Sequence, residues 1–107
     1  MKKSILFAIP TLFKHHALTA SCITQLRDNI KLFDIDFKIC VIVNSKNELF
    51  DQTDFGPNVE KLCSNLDFNI SKALNTAIFA NTNFDYFCYV DEGIVINNNY
   101  WIDYLLE

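Results

Sequence analysis

Two adjacent carboxylates, Asp91 and Glu92, followed by Gly93, stand at the end of the aromatic and apolar run Tyr86-Phe-Cys-Tyr-Val90. A continuous apolar run of this length reads as a strand buried on both faces, as in a parallel sheet. Carboxylates at the C-terminal tip of such a strand occupy the place where open α/β sheets bind ligands. All-oxygen ligands suit a hard divalent cation, Mg2+ or Mn2+, and through it a diphosphate. The same residues also fit a plain solvated turn, with Gly93 supplying backbone freedom. The other elements decide what these carboxylates can meet.

The run Ile5-Leu-Phe-Ala-Ile9, stopped by Pro10-Thr11, predicts a first buried strand. Leu18, Cys22, Leu26, Ile30 and Phe33 recur about every fourth residue and predict an amphipathic helix over 15–32. A second, β-branched strand is expected over 37–43, ending at Asn44-Ser45. The polar stretch 47–58 with its Gly56-Pro57 pair reads as mostly loop, with one helical turn around Glu48-Leu49-Phe50. A short third strand is placed over 59–62. A second helix over 70–80 carries Ile70, Leu74, Ala77 and Ile78 on one face. The fourth strand is 86–90, and the segment from Tyr100 to Glu107 reads as a helix start. Strands alternating with helices imply a mostly parallel sheet of about four strands with flanking helices, in one domain over 1–107.

Composition excludes several classes. The chain has 107 residues, 50% of them hydrophobic and 21% charged, which describes one globular core. No run of about 18 apolar residues predicts a membrane span. The net charge of −4, with no basic cluster, argues against nucleic acid as a partner. Cys22, Cys40, Cys63 and Cys88 are widely spaced and read as small buried hydrophobes in a reducing compartment, which points to a cytoplasmic location. His15 and His16 are adjacent, so on a helix they diverge and make a poor metal pair.

Four pieces in order resemble the N-terminal, nucleotide-binding half of family-2-type glycosyltransferases, which have the GT-A fold. They are the strand ending in Pro10-Thr11, the strand ending in Asn44-Ser45, the segment Asp67-Phe-Asn69-Ile-Ser-Lys-Ala-Leu-Asn75, and the strand ending in Asp91-Glu92-Gly93. The resemblance implies a truncated GT-A, Rossmann-like domain that binds a nucleoside diphosphate or nucleotide-sugar donor, UDP type favoured, through Mn2+ or Mg2+. It implies donor contacts from Pro10, Thr11, Asn44, Asp67, Asn75 and Asp91, and metal contacts from Asp91 and Glu92. The chain departs from the family pattern in having Asn44 where an Asp is common, Asp67 and Asn69 in place of Asn and Gly, and Gly93 in place of the second Asp of the metal motif.

Only fourteen residues follow Gly93. The acceptor half and the catalytic base of the family are therefore expected to be absent, no residue is assigned as catalytic, and transfer by the chain alone is not expected. Tyr100, Trp101, Tyr104, Leu105 and Leu106 then lack an internal partner, which suggests a homo-oligomer through this C-terminal segment. The alternative function is a non-catalytic binding or assembly module that retains the fold. A phosphoacceptor receiver domain is disfavoured, because Pro10-Thr11 stands where its acidic cluster would be.

Overall fold

A computed structural model describes residues 3–13, 16–64 and 70–91. The fold is α/β, with four parallel strands in the order β3-β2-β1-β4. The elements are β1 (Lys3–Thr11), α1 (His16–Ile30), β2 (Ile35–Val43), α2 (Glu48–Gln52), β3 (Val59–Cys63), α3 (Ile70–Ala80) and β4 (Tyr86–Tyr89). The expected segment 100–107, Asp67 and Glu92 lie outside the described residues.

The strand order sets where the helices go. The β1-α1-β2 crossover steps one way across the sheet, and β3-α3-β4 steps back past β2 and β1 to the opposite side. Both crossovers share the right-handed sense favoured by twisted strands, so a reversed step puts α3 on the face opposite α1. The side chains agree. Ile5, Phe7 and Ile9 of β1 pack with Cys22, Ile23, Leu26 and Ile30 of α1. Leu6 and Ala8 point the other way and pack with Ala73 and Ala77 of α3. β1 is buried on both faces from Ile5 to Thr11.

Several expectations need correction. β4 is not buried on both faces. It is an edge strand whose Phe87 and Tyr89 are 37% and 41% exposed, because α3 lies over β1, β2 and β3. Tyr86 and Cys88, on the α1 side, are half covered. Leu18 is exposed although the helical stripe included it, and Ile23 takes the buried place beside Cys22. On α3 the stripe is rotated, so that Ala73 and Ala77 face the sheet while Ile70 and Ile78 are exposed. Alanines let the helix axis approach the sheet, and this close approach selects the small face over the larger one.

The 47–58 stretch is more structured than its polar composition suggests. Asn47 caps α2 by accepting the Phe50 amide at 3.0 Å. Phe50 and Phe55 are buried against Phe13, with ring centroids 5.2 and 6.1 Å from it. Lys61 of β3 donates to the carbonyls of Phe50, Asp51 and Thr53 at 3.2, 2.7 and 2.8 Å, satisfying the open C-terminal end of α2. Arg27 of α1 donates to the carbonyls of Phe55 and Pro57 and holds the loop from the other side. Gly56 adopts φ 88° beneath that guanidinium, a conformation that side-chain-bearing residues rarely take.

Candidate functional site

The C-terminal edge of the sheet gathers most of the expected site residues. Reading across the strand order, it presents Asn44 after β2, Thr11 at the end of β1 and Asp91 beyond β4. The direction in which the chain adds strands across the sheet reverses between β1 and β4. Their tips therefore flank the crevice where doubly wound sheets bind ligands. Neighbouring strands lie about 4.8 Å apart, so Asn44 and Asp91, two strands apart, are separated by about 10 Å along the edge.

Pro10 determines where β4 leaves the sheet. Ala8 faces β4, and its carbonyl accepts the Val90 amide at 2.9 Å. Residues two apart in a parallel strand face the same neighbour, so the next rung toward β4 would need an N–H from Pro10, which has none. The β1–β4 ladder stops there, while β1 stays paired with β2 to the Thr11–Val43 pair. Asp91 is thus released from the sheet as an exposed residue.

Thr11 is 1% exposed, and its hydroxyl oxygen accepts the Phe13 amide at 2.8 Å. This bond supports the left-handed Phe13, with φ 54°, and sends its ring into the Phe50–Phe55 cluster. The side chain of Thr11 therefore shapes the turn. Asn44 is half-exposed and presents an amide at the tip of β2. Asn75 is exposed on α3, on the side away from Ala73 and Ala77 and about 7 Å along the helix from Ile70. The fold does not bring it to the Asn44–Thr11–Asp91 row. Pro10 is buried and acts through the ladder.

Two features around Asp91 were not foreseen from the sequence. The Cys22 thiol lies 3.9 Å from the Asp91 carbonyl oxygen, so α1 packs directly beneath the crevice. The Tyr89 phenol is pushed above its ordinary pKa by burial and then by the negative charge of Asp91. Cys22 lies on the expected apolar stripe of α1, but nothing in its spacing shows that it meets the residue beyond β4.

Among the described residues no group of three or more His, Cys, Asp or Glu side chains forms a ready-made cation cage. A hydrated Mg2+ or Mn2+ shared with a diphosphate needs only one or two carboxylates, and the exposed Asp91 fits that donor chemistry. Cys22, Cys40, Cys63 and Cys88 form no disulfide with one another, and Cys22 and Cys40 are buried. Among the described residues no helix is long and apolar enough to cross a membrane. No protein family, curated protein or solved structure matches the chain.

Proposed function

We propose that this chain is a glycosyltransferase-like donor-binding domain that takes a nucleoside diphosphate or nucleotide-sugar, UDP type favoured, with a divalent cation at the β1–β4 crevice. The observation that carries the reading is the placement of Asp91. It is an exposed carboxylate released at the topological switch point, about 10 Å along the edge from the Asn44 amide. That span suits a nucleotide with its base at Asn44 and its diphosphate at Asp91.

Each residue has a distinct task in this reading. Asn44 exchanges hydrogen bonds with the edge of the base. The turn held by Thr11 and Phe13 presents backbone to the ribose side. Asp91 orients a cation, and Glu92 is proposed to join it. The cation, when bound, neutralises charge on the diphosphate.

A thermal-shift titration with UDP and other nucleoside diphosphates, with and without Mn2+, tests the reading. Saturation at about a hundred times the dissociation constant should add about 2.7 kcal/mol, a shift of several degrees for a domain of this size. A shift that needs both metal and one nucleotide is the expected result. No shift with any pair would overturn the reading and favour the binding-module alternative. That alternative draws on the exposed Phe87 and Tyr89 of the uncharged edge strand β4.

A further inference from the structure

Helix α3 covers one face of the sheet with small side chains. It buries Ala73 and Ala77, with Leu74 half covered, against Leu6, Ala8, Cys40 and Ile42. The opposite face buries Ile23, Leu26 and Ile30 of α1 together with Phe7, Phe13, Phe50 and Phe55. Apolar hold scales with buried area, so α3 is the more weakly held of the two helices.

A polar ring anchors its C-terminal end. Asn81, directly after α3, donates its side-chain amide to Glu60 Oε1 at 2.9 Å and to the Ala77 carbonyl at 3.2 Å. Its Oδ1 accepts from Lys38 Nζ at 2.7 Å, and Lys38 also pairs with Glu60 Oε2 at 3.2 Å. The Cys40 thiol sits beneath, 3.5 Å from Glu60 Oε1 and 3.4 Å from Asn81 Nδ2. Strands β2 and β3 and the end of α3 are thereby tied in one closed network.

We propose that this ring is a latch and α3 a flap, which lifts from the sheet as a unit while the α1 face and the four strands stay intact. Such partial opening belongs to elements with few buried apolar contacts. A helix that follows β3 and precedes a parallel β4 runs back against the strands, so α3 begins at the C-terminal edge that carries Asn44 and Asp91. Lifting it remodels that edge, whatever ligand binds there.

The groups facing Glu60 are Lys38 and Cys40 from β2 and Asn81 from the end of α3. Burial raises the Glu60 pKa, but the bonds from Asn81, Lys38 and Cys40 outweigh it and leave the carboxyl below its ordinary value. The latch is therefore formed above the ordinary glutamate pKa and loosens as pH falls through the lowered one. Burial, the Glu60 charge and the bond to Glu60 push the Cys40 thiol up from 9.0 to about 12, against smaller effects of Lys38 and Asn81. On that side the latch is complete below pH 9 and loosens as pH rises toward 12.

Cys40 is 0% exposed and lies under α3, so its reaction with N-ethylmaleimide reports flap opening, while Cys22 reports the α1 face. Labelling followed by peptide mass mapping should give a Cys40 rate with a shallower urea dependence than that of Cys22, because local opening exposes less surface than global unfolding. Asn81→Ala should raise the Cys40 rate roughly tenfold with Cys22 little changed, since it removes bonds to charged groups. Glu60→Gln should also raise it and remove the acid limb. Equal urea dependence at the two cysteines in the unmodified chain would overturn the proposal without relying on any variant. So would an Asn81→Ala protein in which both rates rise together.

Discussion

Asp85 and Ser4 close the N-terminal end of the β1–β4 pair. The Asp85 carboxylate accepts both the Ser4 amide, at 2.9 Å, and the Ser4 hydroxyl, at 3.1 Å, while the Asp85 amide donates back to the Ser4 hydroxyl oxygen at 2.9 Å. The Val90–Ala8 bond closes the other end of the same pair. Edge strand β4 is thus pinned at both ends, and its pinning delivers Asp91 to the crevice.

The Ser4 amide, and then the Ser4 hydroxyl, hold the Asp85 carboxyl below its ordinary pKa, with Lys3 adding a smaller effect and desolvation opposing. The bonds therefore stabilise β4 above the ordinary aspartate pKa, and that stabilisation is lost as pH falls through the lowered value. Ser4→Ala removes both hydroxyl bonds, including the one donated to the carboxylate. Carboxyl-detected NMR titration should show the Asp85 pKa move up toward the ordinary value.

Asp91→Asn keeps the size of the side chain and removes the charge. The metal-dependent part of the nucleotide-induced thermal shift should vanish, with the ligand-free melting temperature nearly unchanged because Asp91 is exposed. Asn44→Ala should weaken UDP binding by roughly three- to tenfold, corresponding to the loss of one hydrogen bond of about 0.5–1.5 kcal/mol. The thermal-shift titration checks the first effect and calorimetric titration the second.

A methyl group at position 56 would stand 3.0 Å from the Arg27 guanidinium on a backbone at φ 88°. Gly56→Ala should cost about 1–2 kcal/mol from the left-handed backbone alone. Urea denaturation should show a lower midpoint with an unchanged slope.

Phe50 is 2% exposed and packs edge-on to Phe13, whereas its neighbour Leu49 is 55% exposed. Phe50→Ala should therefore cost about 3–5 kcal/mol, and Leu49→Ala under about 0.5 kcal/mol. Equal costs would mean that the segment 47–58 is not packed on the core, and the same denaturation measurement distinguishes the two outcomes.

Local pattern sufficed for the framework. The apolar runs at 5–9, 37–43 and 86–90 and the four-residue spacing along α1 are carried by neighbouring residues. Alternation of strand and helix then implies parallel pairing, because a parallel connection needs a crossover. The row Asn44, Thr11 and Asp91 followed from that framework, since strand tips of a parallel sheet share one edge.

What only the tertiary structure decided depends on residues distant in the chain. Strand order β3-β2-β1-β4 left β4 at an edge, so a run that reads as doubly buried came out half exposed. The choice between the faces of α3 rested on how closely the helix approaches the sheet, which favoured Ala73 and Ala77 over Ile70 and Ile78. The polar 47–58 stretch became ordered because Arg27 and Lys61, from α1 and β3, supply donors to its carbonyls. Cys40 reads as one more small hydrophobe within β2, yet it touches Glu60 and Asn81, 20 and 41 residues away. Periodicity records which side of an element is apolar. It does not record which other element arrives there, because that is settled by packing and by the pairing of buried polar groups.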